Sequence, residues 1–415
     1  MHRIDESRGL SRAVEAGVYW VRFDVFHWDK IEPVRTEPPT YLWDQVDEQS
    51  LRNAADVGLE VIAAVKYTPE WAQKVPGSFC GPIEEDTLDE FAQFLTALVA
   101  RYSAPPYNVR YWELGNEPDV DPALVPGDHL FGCWGDESDP YYGGGYYAEM
   151  LKVAYPAIKA ADPLAQVLIG GLLLDCDPTH PPEGADCLPS RFLEGILRNG
   201  GGGYFNVVSF HGYPLYYGSL YTDEHWPSWE ERGGIVLGKI DFLREVMADY
   251  DVDKPLMHTE GSLLCPENNA DDCDPPGDAF FEAQADYVVW LYVRNWAAGL
   301  TATIWYQFEG PGWRECSLLN AAQQPKPAYK ALAFLTQILD GATYQQPITR
   351  FDELRGYAFR APDRRVWVLW SPDEEPHAMD LPEGVQGVYD KYGNDITPGS
   401  ATIPVQSPIY VELAP

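Results

Sequence analysis

The sequence predicts an α/β fold, a (β/α)8 barrel of the TIM type followed by a small C-terminal all-β domain. Three observations carry this. Seven short runs rich in β-branched and aromatic residues alternate with amphipathic helical stretches. The runs are nearly continuous in apolar character, as strands covered on both faces are. Past residue 341 the helices stop and short strands joined by Pro, Gly and Asn turns take over. At 415 residues the chain is long enough for a large barrel and an appendix, each with its own core.

In chain order the expected strands are residues 18–26 (VYWVRFDVF), 59–67 (LEVIAAVKY), 108–115 (NVRYWELG), 166–172 (QVLIGGL), 205–213 (FNVVSFHGY), 254–260 (KPLMHTE) and 301–308 (TATIWYQF). Between the second and third, Leu88, Phe91, Leu95, Leu98 and Tyr102 fall on one helical face, and Thr87 with Glu90 has capping-box spacing. Ahead of the sixth, Leu237, Ile240, Leu243, Met247 and Tyr250 repeat at the same period. Strands each followed by a helix pair in parallel, leaving a closed barrel or an open doubly wound sheet. The first strand has no glycine-rich turn to bring backbone amides onto a pyrophosphate, which favours the barrel. GGGG at 200–203 precedes a strand rather than opening a helix, so it is not read as a phosphate cradle.

The connections leaving the strand C-termini, 118–145, 173–190, 214–233, 261–279 and 309–327, are long, and those at the other end are short. In a barrel such loops build the active face. After the last helix, LRGYAFRA, RVWVLWS, GVYDKYGND and IYVEL read as strands, which sets the expected domains at 1–341 for the barrel and 342–415 for a β-sandwich-like unit.

Net charge is −35, which repels phosphate backbones and anionic lipid, so neither nucleic acid nor membrane is expected as a partner. No stretch reaches the ~18 apolar residues of a membrane helix. MHRIDESRGL lacks the apolar core of a signal peptide, so any export signal is expected to be absent from this chain. Seven cysteines stand at 80, 133, 176, 187, 265, 273 and 316 without a zinc-type CxxC pair, and no metal or cofactor is expected. Cys176 with Cys187 and Cys265 with Cys273 bracket short Pro/Asp-rich loops, as disulfide staples do, and indicate a secreted or extracytoplasmic protein. Elimination then leaves Cys80 with Cys133 and a free Cys316, buried thiols being the alternative. The acidic stretch at 268–278 lacks EF-hand order and reads as a solvated loop.

Two segments carry chemistry. YWELGNEPD (111–119) ends the third strand and PLMHTEG (255–261) the sixth, each placing a glutamate at a strand C-terminus. A lone glutamate there is an ordinary loop carboxylate. Glu117 and Glu260 together, facing each other across a barrel mouth, form the pair that glycoside cleavage needs, one proton donor and one nucleophile. Arg22 lies inside a barrel strand, where an unpaired cation is costly, so it is expected to pair with a carboxylate.

WELGNEP resembles the Asn-Glu-Pro motif after the fourth strand of the clan A (4/7 superfamily) retaining glycoside hydrolases, and PLMHTEG resembles their seventh-strand nucleophile segment. GVYWVRFDVFHWDKIEP looks like the second strand with its arginine, VKYTPEWA like the third, SFHGYP like the sixth and TIWYQFEG like the eighth. Together they cover about residues 7–340 in order, most like glycoside hydrolase family 39 and its bacterial relatives, with family 5 next. The resemblance implies Glu117 as acid/base and Glu260 as nucleophile of a double displacement on β-linked oligo- or polysaccharides. It implies Asn116 on the sugar 2-hydroxyl, and Arg22 beside the nucleophile, keeping Glu260 ionised while Glu117 stays protonated. His211 and Tyr213, at alternate positions of one strand, are expected to face the nucleophile and the sugar. Trp305 is expected to stack under the sugar and Trp71 to line a further subsite, with Trp28, Trp313 and Glu309 left open. By the same pattern an eighth strand belongs ahead of the helix around residues 8–16, where only MHRIDE can form it: a short divergent strand or none. The rival readings are a non-catalytic carbohydrate-binding protein on a degenerate barrel and a transglycosylase. Sugar identity, exo or endo action and oligomeric state stay open.

Overall fold

The computed structural model describes residues 3–266 and 277–415. Strands β1 (Trp20–His27), β2 (Glu60–Lys66), β3 (Tyr111–Leu114), β4 (Gln166–Leu172), β5 (Val207–Gly212), β6 (Leu256–Gly261) and β7 (Ala302–Trp305) form one sheet in chain order. The pairs from β1·β2 to β4·β5 are parallel, with Arg22 opposite Ile62 and Trp112 opposite Val167. This is a TIM-barrel-like domain followed by a C-terminal β domain. The strand β3 starts later than the apolar pattern suggests because Asn108, at φ 57°, still belongs to the turn closing the preceding helix, its N–H bonded to the Ala104 carbonyl.

Residues 3–9 contain no strand, so of the two options for the N-terminal segment the sheet takes the second, seven strands among the described residues. Ile4 is buried and tied by side chains instead of a ladder, its N–H donating to Ser50 Oγ at 2.9 Å and its carbonyl accepting from Asn53 at 2.7 Å. No helix among the described residues is long and apolar enough to cross a membrane.

The chain divides into two compact units. The first comprises residues up to Arg8, Tyr19–Gly212 and Pro227–Glu260. Its helix Leu88–Tyr102 buries the expected face plus Phe94 and Val99. The capping box does not form: Thr87 ends a 3-10 turn running straight into the helix, and its hydroxyl donates back to the Glu84 carbonyl at 2.9 Å. In the core Phe26 stacks on Trp112, with ring centroids 5.5 Å apart, and tilts against Tyr102 at 4.9 Å. Each such ring contributes about 1.5–3 kcal/mol by burial.

The second unit comprises Gly9–Val18, Tyr213–Trp226 and Gly261–Pro415. Helix Leu10–Glu15 is tied to helix Pro327–Ile338 through the Tyr329 hydroxyl on the Arg12 carbonyl, 2.8 Å. Antiparallel strands β8 (Thr343–Pro347), β9 (Arg355–Arg360), β10 (Arg365–Trp370), β12 (Val385–Asp390) and β14 (Ile409–Leu413) form a sheet in the order β12-β14-β10-β9-β8, while β11 (His377–Asp380) pairs with β13 (Thr402–Val405). Met379, Ile403 and Val405 of the small sheet share one core with Leu369, Val388 and Val411 of the large one. Trp370 of β10 stacks on Trp290 of helix Asp278–Ala297 at 5.5 Å, and Lys391 Nζ donates to Asp286 at 2.7 Å.

Candidate active site

Alternation along β1 sends Val21, Phe23 and Val25 into the apolar layer and Arg22 to the opposite face. There the guanidinium fork meets three acceptors: Nε donates to Glu113, Nη1 to Glu260 and Nη2 to Asn116 Oδ1 at 2.6 Å. Burial opposes the charge, yet Glu113 and then Glu260 outweigh it and hold the guanidinium pKa above its ordinary value. Glu113, from the middle of β3, is fully buried and also accepts from Ser209 Oγ of β5 at 2.8 Å.

Three residues past the end of β3, Glu117 adopts φ 54°, a left-handed conformation that costs a non-glycine residue about 1–2 kcal/mol. Such strain is retained where it aims a functional group. The carboxylate of Glu117 meets His211 Nδ1 at 2.7 Å and accepts from Asn116 Nδ2 at 3.2 Å. Glu260, in β6, lies 3.7 Å from the same Nδ1. Oxygens of Glu117 and Glu260 and the His211 nitrogen all lie within 4.8 Å of one another. That donor set could also bridge a divalent transition ion, which the Arg22 cation on Glu260 would disfavour.

His211 owes its position to β4. A Cβ on Gly171 would stand 2.0 Å from His211 Nε2, so only glycine leaves room for the imidazole. Behind it Lys239 Nζ donates to the His211 carbonyl at 2.9 Å and to the Leu173 carbonyl. Burial lowers this lysine's pKa to about 8, against the pull of Asp119 and Glu117. Asp119 accepts from the Leu173 and Leu174 amides at 3.0 and 2.8 Å, and burial raises its pKa from 3.8 to about 6. A carboxyl raised in the folded state adds stability that is complete below its unfolded pKa and lost as pH climbs through 6. Asp119→Asn is therefore expected to remove a slope of up to about 1.4 kcal/mol per pH unit between pH 4 and 6. Urea unfolding across that range checks it, and an unchanged slope refutes it.

Of the residues expected from sequence, Glu117, Glu260, Arg22, Asn116 and His211 thus come together in the first unit. His211 lies against both carboxylates, its Nδ1 at 2.7 Å from Glu117 and 3.7 Å from Glu260. Trp71 donates to the Glu32 carbonyl at 3.0 Å and packs edge-on against Trp28 at 5.3 Å. Trp28 is a core residue, 1% exposed, with its indole N–H on Glu32. Tyr213 lies one residue beyond the end of β5, in the second unit, edge-on to Tyr306 and Trp313. Trp305 ends β7 in that unit, 6% exposed, its indole N–H on the Cys316 carbonyl at 2.7 Å. Glu113, Ser209, Lys239 and Asp119 were missed. The signal for the first was a carboxylate inside an apolar strand, and for the lysine a cation on the apolar side of a helix.

Cys80 is bonded to Cys133 and Cys176 to Cys187, as elimination and loop spacing implied. Cys265 is in a disulfide, while its expected partner Cys273 and most of the acidic stretch lie outside the described residues. Cys316 is a buried thiol.

The chain is similar to a family 39 glycoside hydrolase from the gut symbiont Bacteroides cellulosilyticus WH2, with TM-score 0.70 and 19% identity over 99% of this chain and 78% of that one. A conserved exported protein from Bacteroides fragilis gives 0.67 and 13% over 95% and 88%. A family 30 endoxylanase from Clostridium papyrosolvens C71 gives 0.61 and 14% over 100% and 94%. No protein-family model matches the chain, and no curated protein matches it. At these identities the likeness establishes the fold alone, a TIM-barrel-like domain with a C-terminal β domain.

Proposed function

We propose that the protein is a retaining β-glycosidase that hydrolyses O-glycosidic bonds of oligo- or polysaccharides, with Glu117 as acid/base and Glu260 as nucleophile. The observation that carries this is the carboxylate spacing. Retaining enzymes hold their two carboxyls about 5–5.5 Å apart, inverting ones about 6.5–9.5 Å to admit a water. Oxygens of Glu117 and Glu260 within 4.8 Å of each other favour retention. Their surroundings differ: Glu260 accepts from the Arg22 guanidinium, while Glu117 meets the His211 imidazole and accepts from the Asn116 side-chain amide.

In the first half-reaction Glu117 gives its proton to the glycosidic oxygen while Glu260 attacks the anomeric carbon, forming a covalent glycosyl-enzyme. In the second, Glu117 takes a proton from water, which displaces Glu260. Arg22 holds Asn116 by its oxygen, directing Nδ2 towards Glu117 and the sugar 2-hydroxyl, a contact that strengthens as the oxocarbenium-like transition state forms. His211 orients the acid/base. Trp71 is assigned to an outer subsite. The Cys80–Cys133 and Cys176–Cys187 disulfides favour an extracytoplasmic site of action.

Proton NMR of the first product from a panel of β-linked glycans tests this, with Glu260→Gln as the blank. The β-anomer is expected first. Initial α-anomer overturns retention, and cleavage by Glu260→Gln at the native rate overturns the assignment of the nucleophile.

A further inference from the structure

We propose that the Cys80–Cys133 disulfide is a positioning device for the acid/base glutamate, so that general-acid catalysis depends on this bond being closed. The inference rests on Glu117 being the acid/base. The turn that carries Glu117 leaves β3 and runs along a second segment of the same loop, residues 130–135. Leu130 accepts from Asn116 Nδ2 at 3.3 Å, Trp134 N–H donates to the Pro118 carbonyl at 2.9 Å, and Gly135 N–H to the Val120 carbonyl at 2.9 Å. At Gly132 the two backbones approach so closely that a Cβ would stand 2.9 Å from the Asn116 carbonyl oxygen and 3.0 Å from its nitrogen.

Residues 130–135 are not part of a helix or a strand. Besides these hydrogen bonds they are held by Cys133, within the segment and joined to Cys80 in the connection after β2. That far end is anchored in turn: Thr68, two residues past β2, donates its N–H to the Phe79 carbonyl at 2.7 Å and its hydroxyl to the Gly81 carbonyl at 2.8 Å. Cys80 N–H reaches back to the Gly127 carbonyl at 3.2 Å. Both cysteines are buried. The Glu117 turn is thereby braced through the disulfide onto β2. With the bond open, the brace rests on a few main-chain hydrogen bonds, each worth about 0.5–1.5 kcal/mol net, against the freedom of a long loop. Glu117 holds a left-handed backbone that relaxes once its neighbour moves. Displacement of a reacting group by ~1 Å costs on the order of 100-fold in rate. Opening is ordinary exchange: a dithiol such as dithiothreitol becomes its cyclic disulfide, and its two hydrogens end on the two cysteine sulfurs.

The test compares the Cys80→Ser/Cys133→Ser variant with Cys176→Ser/Cys187→Ser and the native protein, using aryl glycosides of the sugar cleaved in the NMR panel. A dinitrophenolate leaves without protonation, whereas an unactivated phenol needs the acid. The first variant is expected to lose about 10–100-fold in kcat on the phenyl glycoside and little on the dinitrophenyl glycoside, while the second variant matches the native protein on both. Gly132→Ala, which crowds Asn116 with the disulfide intact, is expected to reproduce the leaving-group pattern, and native protein opened with dithiothreitol to recover on reoxidation. Equal losses on both substrates, or none in a variant with native circular dichroism, overturn the proposal. If the double variant does not fold, the Cys176→Ser/Cys187→Ser variant opened with dithiothreitol decides: an unchanged rate on the phenyl glycoside overturns the proposal. Glu117→Gln is run beside them: if it shows no dependence on leaving group, the assignment of the acid/base fails, not the brace.

Discussion

Glu260→Gly is expected to lower kcat by on the order of 10⁴-fold or more, and added azide to restore turnover as the α-glycosyl azide. The small anion fills the space left by the carboxylate, attacks the anomeric carbon from the same side as Glu260 does, and inverts it once. Glu117→Gly is expected to give the opposite anomer. On a substrate with a good leaving group, Glu260 still forms the glycosyl-enzyme. Azide then needs no general base to open it, and a second inversion yields the β-azide. Proton NMR of the two azides therefore assigns the carboxylates independently of any loss of rate. The same anomer from both variants excludes the assignment, and exchanged anomers would reverse the roles.

Arg22→Met is expected to cost about 3–5 kcal/mol in urea unfolding at neutral pH, because it leaves buried carboxylates without their cation. Glu113 is fully buried, with Ser209 as its other side-chain donor, and Glu260 loses its guanidinium at the same time. Arg22→Lys is expected to recover only part, since one ammonium cannot serve three acceptors that a planar fork meets together. Replacing both partners, Arg22→Met with Glu113→Leu, is expected to regain most of the stability but little of the activity, as Glu260 and Asn116 remain without the cation. A loss under about 1 kcal/mol for Arg22→Met would show that the cluster serves catalysis alone.

The parts of the site legible in the sequence were polar residues that break an apolar pattern, Glu117 and Glu260 at strand ends and Arg22 within a strand. Glu113 did not stand out, because a single carboxylate within YWEL reads as one position of an ordinary strand, and only the placement of β1 two strands from β3 in the same sheet gives it a cation. That His211 would also meet Glu117 was unreadable for the same reason, since it depends on how far the turn after β3 folds back. The Thr87–Glu90 spacing promised a cap, but a cap needs backbone N–H groups left open, and the preceding 3-10 turn had already changed the geometry there. Ile4 shows the converse: too few residues for a strand were still enough to be held by Ser50 and Asn53. Sequence period reports which face is apolar; it does not report which polar atoms meet across elements.

The empty place on β4 has a consequence for anyone redesigning this scaffold. The ring of His211 occupies volume that belongs, by register, to the side chain of residue 171. Diversity introduced at that position would be selected against for reasons having nothing to do with sugar specificity. A library aimed at new substrates should leave Gly171 untouched and spend its variation on the long loops, where a change of shape does not disturb the histidine that meets Glu117.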